Sequence, residues 1–229
     1  VMRDKIVTCF QKNESGMDPK CPRNIVNPDP VDRVEQSRFA YPFGDTIIKT
    51  APWYAFGCTP KDLALRVVDL VQEHDEIILT DYTRLDGSTG RIHTDLLKRV
   101  VMRAFSLYYH PVLEQLLTRY RQLQGRQGPV VFNIEDMTLT GSAWTAIRNS
   151  LINSFNDFLA MRFDGRSADE AYAGLGLYGG DDGLRVGLKA DSIVRAANAL
   201  GLSIKVETVS RGGWVKFLGR LYVDPWNRP

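Results

Sequence analysis

The sequence predicts an α+β fold in which helices pack on one face of a small antiparallel sheet. Three features predict it. Leu177-Tyr178-Gly179-Gly180-Asp181-Asp182-Gly183-Leu184 sets two adjacent carboxylates among glycines, with apolar Leu175 and Leu177 before and Leu184, Val186 and Leu188 after. Short alternating strands joined by residues that tolerate unusual φ/ψ read as a tight β-hairpin. Glu76-Ile77-Ile78-Leu79-Thr80-Asp81 is too short for a helix and rich in β-branched residues, so it reads as a buried strand ending at Asp81. Helical periodicity accounts for the stretches around these. The order strand, helix, helix, hairpin, helix, strand, strand belongs to the α+β class.

Taken in order, residues 1–60 carry Pro19, Pro22, Pro28, Pro30, Pro42, Pro52 and Pro60, which predicts loops and short strands rather than long helices. Thr59-Pro60-Lys61-Asp62 opens a helix with Leu63, Val67, Leu70 and Val71 on one side; a Thr cap, Pro at the first position and an acid in the first turn mark its start. After the strand ending at Asp81, Asp86-Gly87-Ser88-Thr89-Gly90 is a turn. Ile92, Leu96, Leu97, Val100, Val101, Ala104, Phe105 and Tyr108 then recur at helical spacing until Pro111 ends or interrupts the helix. Gly125 to Gly128 reads as a loop, and Val130-Val131-Phe132 as a short strand. Behind Thr140-Gly141-Ser142 a helix shows a core-facing stripe of Trp144, Ile147, Leu151, Phe155 and Phe158, closed by Asp164-Gly165-Arg166-Ser167. The hairpin follows. A helix over 191–200 stops at Gly201, Ser203 to Glu207 alternates like a strand, and Trp214 to Val223 reads as a final strand pair.

The 229 residues suffice for one large domain or two small ones, and a hydrophobic content of 44% is ordinary for a globular protein. A net charge of +2 does not announce nucleic acid, but basic residues gather from Lys98 to Arg126 and from Lys205 to Arg228, where they could face phosphates. Cys9, Cys21 and Cys58 are odd in number and lack CxxC spacing, which argues against a disulfide framework and, with His74, against a zinc site. No apolar run reaches membrane-spanning length and no signal peptide is recognisable. The start at Val1 and the end at Pro229 suggest a piece of a longer polypeptide.

Asp81 ends a strand, so the sheet fixes its direction. If that strand lies beside the hairpin, Asp81 and Asp181 project from one sheet edge. Side-by-side carboxylates repel, and a divalent cation relieves the repulsion. Mg²⁺ commonly takes one or two protein carboxylates and completes its shell with water and phosphates. Thr140-Gly141-Ser142 places a flexible loop and backbone N–H groups at a positive helix end. Thr145 and Asn149, spaced i, i+4, share a helix face where a hydroxyl and an amide could read a sugar 2′-hydroxyl.

Asp81-Tyr82-Thr83-Arg84-Leu85-Asp86, then Gly141 with Thr145 and Asn149, then Gly180-Asp181-Asp182, in this order and at these separations, resemble motifs A, B and C of viral RNA-dependent RNA polymerases, nodavirus-like or from related positive-strand RNA viruses. The resemblance covers residues 20–223. It implies a right-hand fold: partial fingers over 1–75, a palm with motifs A to E over 76–223, and at 224–229 the start of a C-terminal region, with the thumb absent. It implies Asp81 and Asp181 as principal ligands of two Mg²⁺ or Mn²⁺ ions, Asp182 as an auxiliary, and Asp86 and Asn149 as selectors of ribose. Lys205 falls where motif D often has a lysine that protonates the leaving pyrophosphate, and Phe217-Leu218-Gly219 matches the motif E hairpin. Lys20-Cys21-Pro22-Arg23 resembles basic motif F, whose Lys and Arg neutralise the incoming triphosphate; Arg38 or Lys49 could serve instead.

The implied partners are an RNA template and product strand, ribonucleoside triphosphates and other parts of a viral replicase. The implied setting is the host cytoplasm, at membranes reached through regions outside this chain. Reverse transcriptases share the palm but usually carry an aromatic steric gate and a Tyr-x-Asp-Asp hairpin, where this chain has Asp86, Asn149 and Gly180. A catalytically silent RNA-binding or scaffolding palm and a two-metal nuclease are the readings from other classes.

Overall fold

The computed structural model describes residues 6–12, 24–46 and 48–227. In chain order the strands are β1 (Ile6–Gln11), β2 (Asn24–Asn27), β3 (Glu76–Tyr82), β4 (Leu123–Gln127), β5 (Val130–Ile134), β6 (Leu177–Gly179), β7 (Asp182–Val186), β8 (Ile204–Ser210), β9 (Trp214–Phe217) and β10 (Arg220–Val223). The helices are α1 (Pro30–Thr46), α2 (Pro60–Val71), α3 (Leu85–Ser88), α4 (Arg91–Ala104), α5 (His110–Thr118), α6 (Thr145–Phe163), α7 (Ala168–Ala173) and α8 (Ala190–Ala199). The described residues form two compact units, one drawn from the ranges 1–43 and 89–145, the other from 44–88 and 146–229.

The first unit holds a sheet in the order β2-β1-β4-β5, with β1 and β4 parallel. Val7, Cys9, Val26, Leu123, Ile134 and Leu139 form its buried cluster. Arg119 bridges Asp32 and Glu35 of α1. Helix α1 corrects the expectation of loops and short strands before residue 60. Its 17 residues begin with Pro30, where a missing N–H costs nothing, and the Asp29 carboxylate accepts the N–H groups of Val31 and Asp32. Pro42 sits inside the helix. The helix from Arg91 ends at Ala104, and Pro111 then sits in the first turn of α5; Gly125 lies within β4 instead of in a loop. Gly125 has a packing reason to be glycine, since a Cβ there would meet the Phe132 ring at 2.5 Å.

The second unit holds the antiparallel sheet β6-β7-β3-β8. Strand alternation divides its side chains between two faces. One face, carrying Ile77, Leu79, Leu184 and Val209, buries against Leu63, Val67 and Val71 of α2 and Val215 and Phe217 of β9. The other carries Tyr82 against Ile152 of α6 and Ala197 of α8. The start of α2 has the predicted cap: Thr59 Oγ1 accepts the Asp62 N–H, and the Asp62 carboxylate accepts the Thr59 N–H. The outer edge of β6 is covered by residues 53–55, where Tyr178 N–H donates to the Trp53 carbonyl and Ala55 N–H to the Tyr178 carbonyl.

Candidate active site

Strand register builds the site. β3 pairs with β7 from Ile77↔Val186 to Thr80↔Gly183, and with β8 from Glu76↔Ser210 to Tyr82↔Ile204. One step beyond Thr80↔Gly183 the register brings Asp81 level with Asp182, and Lys205 stands directly opposite Asp81. Residues level across neighbouring strands share a face. Asp182, Asp81 and Lys205 therefore make one row across three strands, at one end of the face that carries Leu79 and Leu184. Asp81 and Lys205 are exposed, and Asp182 is half-buried.

The hairpin supplies the third carboxylate. Gly179↔Asp182 closes a two-residue loop of Gly180 and Asp181. Gly180 has φ +68°, the left-handed value that a type II′ turn reserves for glycine in its first loop position. Asp181 follows it at the exposed tip. The turn between β9 and β10 packs alongside: a Cβ on Gly179 would meet Leu218 Cδ2 at 2.6 Å. Burial, then the negative charge of Asp181, then that of Asp81 raise the Asp182 carboxyl above its ordinary range, against the opposing pull of the Leu218 N–H and Lys216. The three carboxylates thus share one electrostatic field. Among the described residues no three ligating side chains close into a ready-made metal cage.

Beneath this row, on the opposite face, lies a polar layer that periodicity did not reveal. Helix α6 buries Ser150, Asn153 and Asp157, spaced i, i+3, i+7, and all three are wholly excluded from solvent. Ser150 Oγ accepts the Gly180 N–H at 2.8 Å. Asn153 Nδ2 donates toward the carbonyls of Gly180, Asp181 and Asp182 at 3.3, 3.1 and 3.1 Å. Arg185 of β7, also fully buried, bonds the Asp157 carboxylate, the Thr80 hydroxyl and, at 2.6 Å, Asn153 Oδ1. Tyr178 donates its hydroxyl proton to Asp157 at 2.6 Å, and its ring lies 5.5 Å from the guanidinium carbon. Burial and then the Asp157 charge push the Tyr178 phenol well above its usual range. Gly183 makes room for the cation, since a Cβ there would come within 2.9 Å of Arg185 Nη2 and of Thr80 Oγ1. The signals in the sequence were the polar i, i+3, i+7 series on α6 and the charged residue two positions after Gly183.

The remaining predicted residues are placed as follows. In the second unit, Asn149 Nδ2 donates to Asp86 Oδ1 at 2.7 Å, while the buried Asn149 Oδ1 has no hydrogen-bond partner among the described residues. Gly141, Ser142 and Thr145 belong to the first unit. A Cβ on Gly141 would meet Asn27 Oδ1 at 2.2 Å. Ser142 Oγ bonds Gln36 Oε1, and Thr145 Oγ1 lies 2.8 and 2.9 Å from the Leu139 and Ser142 carbonyls, its acceptors at the helix start. Lys20 and Arg23 lie outside the described residues. Of the substitutes, Arg38 is exposed on α1 and Lys49 pairs with Asp45 at 3.4 Å.

No family model matches the chain. Curated proteins do. The RNA-directed RNA polymerase of striped jack nervous necrosis virus is 35% identical over 98% of this chain. That of Pieris rapae virus is 32% identical over 96%, and that of Flock house virus 28% over 96%. The chain spans under a quarter of their length, 23%, 22% and 23% respectively. Among solved structures, the RNA-dependent RNA polymerase of a human picobirnavirus superposes with a TM-score of 0.79 over 96% of this chain and 43% of that one, at 13% identity. Its insertion-loop deletion mutant matches equally well, over 97% and 45%. These two solved structures share the fold.

Proposed function

This chain is a homologue of the nodavirus RNA-directed RNA polymerases, and from that premise we propose that it is the palm and part of the fingers of such an enzyme. It would extend an RNA strand on an RNA template by transferring ribonucleotides from nucleoside triphosphates. The observation that carries the reading is the level placement of Asp81 and Asp182 beside the Asp181 tip, with Lys205 completing the row. Three oxygen-donor side chains whose charges already disfavour one another fit hard divalent cations. A cage of three protein ligands is not required, because Mg²⁺ keeps waters and takes substrate phosphates. Asp81 and Asp181 would hold two Mg²⁺ or Mn²⁺ ions, with Asp182 in support. When bound, such ions stabilise the attacking 3′-oxygen and the departing pyrophosphate.

The chain's own groups would do the rest. Lys205, at the end of the row, would serve as the general acid toward the leaving pyrophosphate. Asn149 Oδ1, without a partner among the described residues, would accept a hydrogen bond from the ribose 2′-hydroxyl, with Asp86 fixing the amide's orientation. Gly141, Ser142 and Thr145 would line the nucleotide's approach, and Lys20 and Arg23 would meet its triphosphate. RNA strands and nucleotides are thus its partners, with other parts of a replicase assembled at host cytoplasmic membranes. Among the described residues no helix is long and apolar enough to cross a membrane.

Titration of Mn²⁺ into the wild type, Asp81→Asn and Asp181→Asn tests this, with circular dichroism checking each fold. Both substitutions are expected to weaken binding, placing residues a hundred positions apart in one site. Binding that ignores both would sink the reading. Three folded proteins that bind no metal would favour the second reading, a silent scaffold.

A further inference from the structure

The apolar residues Leu107, Tyr108, Tyr109 and Val112 are exposed in the first unit, but nothing in the structure says what covers them. The polar layer beneath the hairpin carries more. Its atoms connect the backbone of the carboxylate turn to a buried cation through one side chain. Asn153 uses its carbonyl oxygen on Arg185 and its amide nitrogen on the three carbonyls of Gly180, Asp181 and Asp182. Ser150, one helical turn away, holds the Gly180 N–H. The turn is gripped by one acceptor and one donor group from α6, and both are locked because neither reaches solvent.

We propose that Asn153 is a positioning residue that, with Ser150 and the Arg185–Asp157 pair behind it, sets where Asp181 and Asp182 stand for cation binding. The inference rests on the reading of those carboxylates as metal ligands. The side chain of Asn153 touches neither carboxylate. It acts on the peptide groups that carry them, from the face opposite to the one where Asp81 and Asp182 emerge. A two-residue loop has few contacts of its own, so without these bonds its peptide planes can rotate and the carboxylates lose a fixed separation. Arg185 polarises the Asn153 amide: a guanidinium on its oxygen strengthens its nitrogen as a donor. Asp157 keeps that guanidinium in place and compensates its charge. Alternation along β7 puts Asp182 and Arg185 on opposite faces, so the cation does not compete with a bound metal for the carboxylate.

Four proteins separate this role from a general contribution to folding: the wild type, Asp181→Asn, Asn153→Asp and Tyr178→Phe. Asn153→Asp keeps an oxygen for Arg185 but turns the donor facing the turn into an acceptor. Tyr178→Phe removes a buried hydroxyl from the same layer without touching the turn's carbonyls. Mn²⁺ affinity is read by electron paramagnetic resonance, and amide hydrogen exchange at residues 180–183 reports on the turn. Asn153→Asp is expected to weaken Mn²⁺ about 10–100-fold, as loss of a group that orients ligands does, and to speed exchange at the turn. Tyr178→Phe is expected to match the wild type in both. Should Asn153→Asp fail to fold, Ser150→Ala takes its place and should show the same effects in weaker form.

Wild-type affinity and wild-type exchange in Asn153→Asp would overturn the proposal. So would an equal loss of affinity in Tyr178→Phe, which would mean loosening of the whole layer. If the wild type and Asp181→Asn bind Mn²⁺ alike, the metal reading fails by itself. The grip on the turn then stands or falls on whether exchange at residues 180–183 rises in Asn153→Asp and not in Tyr178→Phe.

Discussion

Replacing Asp157 with asparagine would leave a cation stranded under the hairpin. Asp157 and Arg185 are both fully excluded from solvent. The partners described for the guanidinium are Asp157, the Thr80 hydroxyl and the Asn153 amide, so one carboxylate supplies all the compensating charge among them. Asparagine keeps the shape and one oxygen for Arg185 and Tyr178; what disappears is the charge. Burial, the largest single influence, disfavours the charged guanidinium, but Asp157, with Tyr178 and Tyr82, holds the arginine above its usual range. An arginine does not escape by losing its proton. Removing one member of a buried pair costs about 3–5 kcal/mol, because the other is left desolvated and uncompensated. Set against the roughly 5–15 kcal/mol that keeps a protein folded, this is a large fraction. At about 2–4 °C per kcal/mol for a chain of this size, the melting temperature falls by about 6–20 °C.

The assay is urea unfolding, followed by tryptophan fluorescence and circular dichroism, on the wild type, Asp157→Asn, Arg185→Met and the double variant. Each single variant strands one charge or one polar group. The double variant removes the charge pair together and should cost less than the sum of the two, since exchanging a buried pair for neutral groups is often near-neutral. An Asp157→Asn loss below about 1 kcal/mol, the scale of an ordinary surface pair, would refute the reasoning. Strict additivity of the two single losses would do so as well, because the charges would then not be answering each other.

Asp182, raised by burial and then by Asp181 and Asp81, holds its proton more tightly in the folded chain than in the unfolded one. Its contribution to stability is therefore complete below the unfolded value of 3.8 and is lost as the pH climbs through the raised folded value. Asp182→Asn should melt above the wild type at neutral pH and lose that advantage in acid; a lower melting temperature at neutral pH would contradict this. Asn149→Ala removes the amide donor to Asp86 and, in a polymerase carrying this segment, should reduce the preference for NTPs over dNTPs by about 10–100-fold, the equivalent of one lost hydrogen bond to a buried partner. Single-nucleotide incorporation rates measure it, and an unchanged ratio removes this pair from sugar selection.

The sheet of the second unit was legible because its strands are short, apolar and bounded by turn residues, and because the Gly180-Asp181 loop leaves the chain little choice but a hairpin. That Asp81 shares a sheet edge with the hairpin could be read from strand and turn only on the condition that the two pair, and Lys205 entered only through family order. Pairing register, which puts Asp81, Asp182 and Lys205 level, depends on contacts over a hundred residues apart. Proline misled the reading of the first 60 residues. Pro30 was taken as a break, yet it occupies a first helical turn, where no intrahelical N–H is needed and the fixed φ favours the helix. The Asp29 side chain, which accepts the Val31 and Asp32 N–H groups, was the sign that Pro30 starts a helix.

Helix α6 escaped for a different reason. Amphipathic reasoning equates the buried side with the apolar side, and α6 buries Ser150, Asn153 and Asp157 along with Leu151 and Ile152. An apolar stripe could have packed under the hairpin just as densely. It could not have served the hairpin's backbone. The two-residue turn with Gly180 at φ +68° presents the carbonyls of residues 180–182 to α6, and buried peptide groups must find donors. Asn153 provides them, its own oxygen then requires a donor, and Arg185 supplies one. A buried arginine requires an anion, which Asp157 is, and requires space, which Gly183 leaves. Each polar residue in the layer is thus explained by the one before it, beginning from the turn that presents the two carboxylates.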